Sequence, residues 1–320
     1  MMKVISFGEA LIDMLSNRVA GTAPDGPETF TRFPGGAPAN VAVAVAKLGG
    51  RSYFAGKVGR DMFGDCLRDA MAAAGVRTDY LLQTDQAKTA LAFVSLDARG
   101  ERSFEFYRSP SADLLFRPEE FRPAWFAEPG LFHFCSNTLT EPGIRATTLA
   151  GIEQARAAGY LISFDVNLRH NLWPAGVDPT PFLWQAIARS DLLKLCREEL
   201  AFLCRDRTEA QVLERIRAAG VSLILITDGG DPLCYQGTRL AGRLHPPATR
   251  AVDTTAAGDA FTGGVLYALA ERGIDRDRLA ALDDRDQLEA ILDLGMRCGA
   301  FTVTRKGAFD ALPTQADLNA

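Results

Sequence analysis

Residues 222–227 read SLILIT, with four consecutive branched apolar side chains and no charge. A run that short and that apolar has no polar side to give to water. It predicts a strand covered on both faces, as a parallel sheet between two helix layers requires. The same signature recurs outward from this stretch, as VISF near the start, LFHF at 131–134 and LISFDV at 161–166. Helical patterns fill the intervals, over residues 39–48, 63–74, 144–158, 209–219, 259–272 and 286–301. The alternation predicts an α/β fold, an open, doubly wound, mostly parallel sheet flanked by helices. Two stretches depart from it: residues 16–33 are rich in Gly, Pro and Thr, and TALAFVSLDARGERSFEFY alternates as a solvent-facing hairpin does. They predict a small β lid drawn from roughly residues 14–34 and 88–115, lying over the active edge of the main sheet. No repeat or low-complexity linker divides the chain, so residues 1–320 read as one domain.

The charges narrow the partners. The 35 Lys and Arg against 40 Asp and Glu give a net charge of −5, scattered without a basic stripe. Nucleic acid and anionic membranes are excluded as expected partners. Six cysteines without a CxxC pair suit reduced thiols, and hence a cytoplasmic setting. The opening MMKVISFGEALIDML is interrupted by Glu9 and Asp13, which fits a first buried strand with Asp13 at its end rather than a signal peptide. No apolar run reaches membrane-spanning length.

The chemistry is narrowed first by elimination. There is no GxGxxG after the first strand, no GxSxG and no HExxH. GGRSYFAGKV fails as a P-loop at Arg51 and Val58. Two stretches remain. DTTAAGD at 253–259 reads either as a capped helix start or as an anion-handling site carrying its own base. In GGAPANVAVAVAKLGG at 35–50, Gly35 and Gly36 let backbone approach a ligand, Pro38 suits a first helical turn, and Asn40 projects an amide suited to hydroxyl groups. VAVAVA is packing.

Together these stretches, in this order and separation, resemble the two signatures of the ribokinase-like sugar kinases, the PfkB family. The resemblance implies an ATP-dependent kinase in which Asp259 is the general base and the amides of Ala256, Ala257, Gly258 and Asp259 form an anion hole. The family has glycine where Ala256 stands; alanine is expected to serve there if its φ stays negative. FDVNLRHNLW at 164–173 resembles the family's DPNLRxxLW, placing Arg169 on the transferred phosphate and Asn167 on the nucleotide side. LKLCREELAFL at 192–202 resembles the NxxE segment, with Glu199 ordering Mg2+ through water and Cys196 in place of asparagine. ITDGGD at 226–231 stands at the nucleotide loop, with Thr227 and Gly229 preserved and Pro232 departing from the pattern. Asp253, Thr255, Thr302, Arg305 and Gly307 are implied to hold a monovalent cation, K+, with Ala311 replacing a further ligand; for Asp253 a turn carboxylate bonding nearby amides is the alternative.

Sugar contacts are expected from Asp13, Gly35, Gly36, Asn40 and the lid, where Phe106 and Arg108 are the candidates. The lid segment ERSFEFYRSPSADLLF is most similar to that of fructokinases, implying phosphorylation of D-fructose to fructose 6-phosphate. The alternatives are 2-keto-3-deoxygluconate kinase and, further off, ribokinase or another sugar or nucleoside kinase. Keto-acid kinases hold the substrate carboxylate with a tyrosine and an arginine, and Phe106 lacks the hydroxyl. Lid strands with exposed edges imply a homodimer formed through the lid.

Overall fold

The computed structural model describes all residues except 20–25, 97–101, 109 and 320, so those parts of the expected lid lie outside the described residues. The strands are β1 (Lys3–Phe7), β2 (Leu11–Val19), β3 (Phe30–Gly35), β4 (Arg51–Gly59), β5 (Leu81–Thr84), β6 (Ala90–Leu96), β7 (Arg102–Tyr107), β8 (Gly130–Cys135), β9 (Leu161–Asp165), β10 (Leu192–Cys196), β11 (Leu223–Asp228), β12 (Asp231–Gly237) and β13 (Ala241–Leu244). The helices are α1 (Ala37–Lys47), α2 (Met62–Ala73), α3 (Pro142–Ala157), α4 (Thr180–Ile187), α5 (Arg197–Cys204), α6 (Glu209–Ala218), α7 (Ala257–Glu271), α8 (Arg276–Ala281), α9 (Arg285–Thr302) and α10 (Gln315–Asn319).

Nine strands form the main sheet in the order β13-β12-β11-β10-β9-β8-β1-β4-β5. All neighbours are parallel except β12 and β13, which close one edge as antiparallel hairpins. SLILIT behaves as its composition demands. Leu223 and Leu225 are buried on the face covered by α1, α7, α8 and α9, and Ile224 and Ile226 on the face covered by α3 to α6. Since successive side chains point oppositely, only a doubly covered strand can be apolar throughout.

β2, β3, β6 and β7 form a separate four-stranded sheet, the lid. The antiparallel β6–β7 pair fits the expected hairpin. Asp13 needs a correction. The chain leaves β1 at Phe7 and re-enters extended structure at Leu11, so Asp13 belongs to lid strand β2, opposite Phe33 of β3, and not to the end of the first strand. Among the described residues no helix is long and apolar enough to cross a membrane, and all six cysteines are free.

Candidate active site

β1 pairs with β4 on one side and β8 on the other, so the order reverses there and a crevice opens beyond the carboxyl ends of the strands. The chemistry-bearing residues converge on that edge. Asp259 enters from the first turn of α7 and Asn40 from the first turn of α1. These helices meet because small residues let them: a Cβ on Gly263 would lie 2.4 Å from the Ala44 methyl. The close approach brings Asn40 Nδ2 to 2.7 Å from Asp259 Oδ2, to which it donates. Asn40 Oδ1 is buried with no hydrogen-bond partner among the described residues, so it is able to accept one further hydrogen bond.

Burial pushes the Asp259 carboxyl above the usual aspartate range, while the Asn40 hydrogen bond, Lys194 and Arg169 pull it back. A half-buried carboxylate with a raised pKa is suited to take a proton from a substrate hydroxyl. Beside it, Ala260 N–H donates to Ala256 O at 2.8 Å, and Ala257 N–H only weakly to Thr254 O at 3.4 Å. The amides of Ala256, Gly258 and Asp259 find no acceptor among the described residues. Unpaired amides at a helix N-terminus form an anion site.

Ala256 departs from expectation. Its φ of 59° and ψ of 8° are left-handed, not the negative φ foreseen. The loop must turn its successive amides to one side as it enters α7, which a left-handed residue achieves. Alanine adopts it under strain.

Gly36 caps α1 at φ 104°, and a Cβ there would sit 2.7 Å from Glu9 O. Gly35 faces Asp13 closely, since a Cβ there would lie 2.5 Å from Asp13 Oδ2. Asp13, Phe33, Asp253, Thr255, Gly307 and Ala308 line one narrow cleft beneath the lid. Phe106 is half-buried against Leu11, Ala90 and Ala92 of the lid.

Arg108, expected among the sugar contacts, has its guanidinium engaged within the protein. It is buried; its guanidinium donates to Asp113 Oδ2 at 2.7 Å and to Asn137 O at 2.8 Å. Asn137 in turn donates to buried Glu9 at 2.8 Å. An arginine so enclosed does structural duty, tying the lid to the sheet. Sequence reasoning missed Glu9 and Asn137, although an acid leaving a buried strand was the available signal.

In the loop after β9, Asn167 has φ 34° and its carbonyl accepts from Ser136 Oγ. Arg169 is exposed and its charge reaches Asp259. Glu199 is no ordinary solvated helix residue. Its carboxylate accepts from Leu168 N and Cys196 N, each at 2.7 Å, joining the loop after β9 to the start of α5. Each oxygen keeps a lone pair for a metal-bound water. Among the described residues no group of three or more His, Cys, Asp or Glu could hold a metal ion. A lone carboxylate such as Glu199 has the donor chemistry to hold a hard cation through water. Thr227 lies at the end of β11 beside Cys196. Gly229, at φ 55°, and Gly230 make a tight turn into β12, and the β11–β12 register shifts between Ile226 and Asp228, opposite the segment that carries Pro232.

Asp253 accepts from Thr255 N at 2.9 Å and Gly307 N at 3.1 Å, tying the loop before α7 to the C-terminal loop. Thr255 Oγ1 is buried without a hydrogen-bond partner, a feature that fits a cation. The side chains of Thr302 and Arg305 are engaged elsewhere. Thr302 Oγ1 donates to Cys298 O within α9, and Arg305 pairs with Asp317 and lies over the Phe301 ring. From these two residues and Gly307 only carbonyl oxygens remain to be offered.

The sequence profile of the pfkB family carbohydrate kinases matches residues 1–315. The chain is 38% identical over 316 residues to probable fructokinase-4 of Arabidopsis thaliana, covering 98% of this chain and 95% of that protein. The solved fructokinase with bound ATP from Xylella fastidiosa superposes with a TM-score of 0.93 at 42% identity, covering 99% of this chain and 97% of the other. A double-mutant fructokinase of Vibrio cholerae O395, in its fructose-, ADP- and potassium-bound form, superposes at 0.84 with 32% identity, covering 100% of this chain and 97% of the other.

Proposed function

The chain belongs to the pfkB family of carbohydrate kinases, phosphotransferases with an alcohol group as acceptor, and we propose that it transfers the γ-phosphoryl group of ATP to D-fructose, giving fructose 6-phosphate. The observation that carries the chemistry is the half-buried Asp259 carboxylate, held by Asn40 beside the amides that open α7 and find no acceptor among the described residues. Asp259 accepts the proton of the attacking hydroxyl as its oxygen bonds to phosphorus and the bond to the β-phosphate oxygen breaks. The amides of Ala256, Gly258 and Asp259 meet the negative charge that spreads over the phosphoryl oxygens, and Arg169 faces the same charge from across the cleft. Mg2+ carried on the nucleotide neutralises its phosphates, and Glu199 would hold that ion through water. Thr227 and Gly229 border the nucleotide. K+ beside Asp253 and Thr255 would support the anion hole from behind, as the potassium-bound relative suggests.

Fructose is favoured over a keto acid by Arg108. With its guanidinium enclosed by Asp113 and Asn137, the lid keeps no arginine there for a substrate carboxylate. Asp13, Gly35, Gly36, Asn40 and the half-buried Phe106 are the sugar contacts in this reading. A second copy of the chain covering the lid belongs to it too, because Phe30, Phe93 and Tyr107 form an edge-on aromatic row in which Phe30 and Tyr107 are exposed. The free cysteines fit a reducing cytoplasm.

A panel measuring ADP release with fructose, ribose, adenosine, glucose and 2-keto-3-deoxygluconate tests the assignment. Fructose is expected to give the highest kcat/KM. A preference for the keto acid overturns it.

A further inference from the structure

A lysine stands inside a strand of the main sheet. Lys194 is the third residue of β10, between Leu193 and Leu195, and is buried. Its Nζ lies 3.1 and 3.0 Å from the two carboxylate oxygens of Asp165, the last residue of β9. Those are its only hydrogen-bond acceptors among the described residues, and an ammonium has three protons. The other side of the ammonium faces the start of α7. A Cβ on Gly258 would stand 3.1 Å from Lys194 Nζ, so the missing side chain at residue 258 is the space the ammonium fills. Gly258 is also one of the residues whose amide has no acceptor.

Burying an ammonium and a carboxylate costs several kcal/mol in desolvation, and the pair returns little net stability compared with apolar residues of similar size. Packing alone would be served by leucine, as at both neighbours of Lys194 in β10. The charge is nevertheless secure. Burial opposes it, but Asp165, Glu199 and Asp259 surround it and hold the Lys194 pKa above the ordinary lysine value. The strand therefore delivers an ammonium to the start of α7, beside Gly258.

We propose that Lys194 is a catalytic residue of the phosphoryl transfer, its ammonium reaching past Gly258 to the transferring phosphoryl group while Asp165 holds it in place. The inference rests on the kinase reading of the site. Lys194 supplies a point charge that becomes most useful as negative charge spreads over the equatorial oxygens, so it acts on turnover more than on ground-state binding. Asp165 is a positioning residue: two of the three ammonium protons point to it, fixing the direction of the third.

The test compares Lys194→Met, Lys194→Arg and the double variant Lys194→Met/Asp165→Asn with the wild type. Wild-type turnover of fructose with ATP tests the kinase reading by itself, so a failure there is distinct from a failure of this proposal. Given that turnover, Lys194→Met and the double variant are both expected to lose about 10²–10³-fold in kcat. Their KM for fructose and their calorimetric Kd for ADP, which lacks the transferred group, should change less than about threefold, as expected for a contact made in the transition state. The tightening of ADP by aluminium fluoride, a mimic of the transferring phosphoryl, should be lost, and Lys194→Arg should recover part of kcat. The double variant neutralises both members of the ion pair, so it keeps the test valid if Lys194→Met fails to fold. Recovery of kcat to within about threefold of wild type in the double variant would mean that the pair only fills space, and the proposal would be wrong. Unchanged aluminium fluoride tightening in that variant would overturn it equally.

Discussion

Replacing Ala256 by glycine tests whether the left-handed entry to α7 is strained and whether it is already set for the anion. An L-residue in that conformation costs roughly 1–2 kcal/mol, a cost glycine does not carry. At φ 59° and ψ 8°, Ala256 bears that strain. Against the gain stands the extra freedom of glycine in the unfolded chain, about 0.4–1 kcal/mol. The half-buried Ala256 methyl packs against the cluster of α1, α2 and Phe309, and its loss removes about 0.4 kcal/mol more, half the value of a fully buried methylene. The balance favours Ala256→Gly by about 0.5 kcal/mol, and equilibrium urea denaturation reads it as a higher midpoint at unchanged slope. Turnover should stay within about twofold, because the amides of Gly258 and Asp259 keep their places. Ala256→Val provides the opposite sign, since a branched side chain tolerates this conformation worse than alanine and should lower both stability and kcat. A glycine variant less stable by more than about 1 kcal/mol, or a valine variant indistinguishable from wild type, would refute the strain.

Asp259→Asn should lower kcat by about 10²–10⁴-fold, the range for loss of a positioned general base, yet make the protein more stable at pH 7. The folded-state pKa of Asp259 is raised chiefly by burial, so ionising it destabilises the fold as pH rises through that pKa; the variant's advantage should shrink in denaturation curves taken at falling pH and vanish below the ordinary aspartate range. Arg108→Met should cost about 3–5 kcal/mol in a denaturation curve by stranding buried Asp113 and Glu9; a folded variant of unchanged stability with a large rise in KM for the sugar would instead make Arg108 a substrate ligand. Asp61 caps α2 through the amides of Phe63 and Gly64 and also accepts from Thr89 N and Oγ1, so Asp61→Ala should lose about 0.5–2 kcal/mol. Burial opposes its ionisation, but these donors outweigh it and hold its pKa low, so the stability Asp61 confers is present at neutral pH and fades as pH falls through that depressed value; a variant with unchanged acid sensitivity would refute it.

The layered fold was legible because its signal is local. Leu223 to Ile226 bury on alternate faces, and four adjacent apolar residues can mean nothing else in so short a strand. The lid hairpin was legible for the complementary reason, since its alternation marks strands with one wet face. Pairing in space was less visible. Asp13 looked like the end of β1 because no sequence signal says that the chain changes sheets between Phe7 and Leu11. Arg108 looked available because an arginine after an exposed strand is usually solvated, and only Asp113, Asn137 and Glu9 around it decide otherwise.

By itself, the sequence determined the two-sided sheet and the second small sheet and singled out Asp259 and its helix as the candidate base, because periodicity, glycine spacing and residue chemistry are carried in short stretches. Tertiary structure alone decided that Asn40 grips Asp259 across 219 positions, that Ala256 is left-handed, that Arg108 is sealed and that Lys194 fills the space beside Gly258. Each of these depends on how closely two distant elements approach, and that distance is set by the small residues between α1 and α7 and by the order of strands in the sheet.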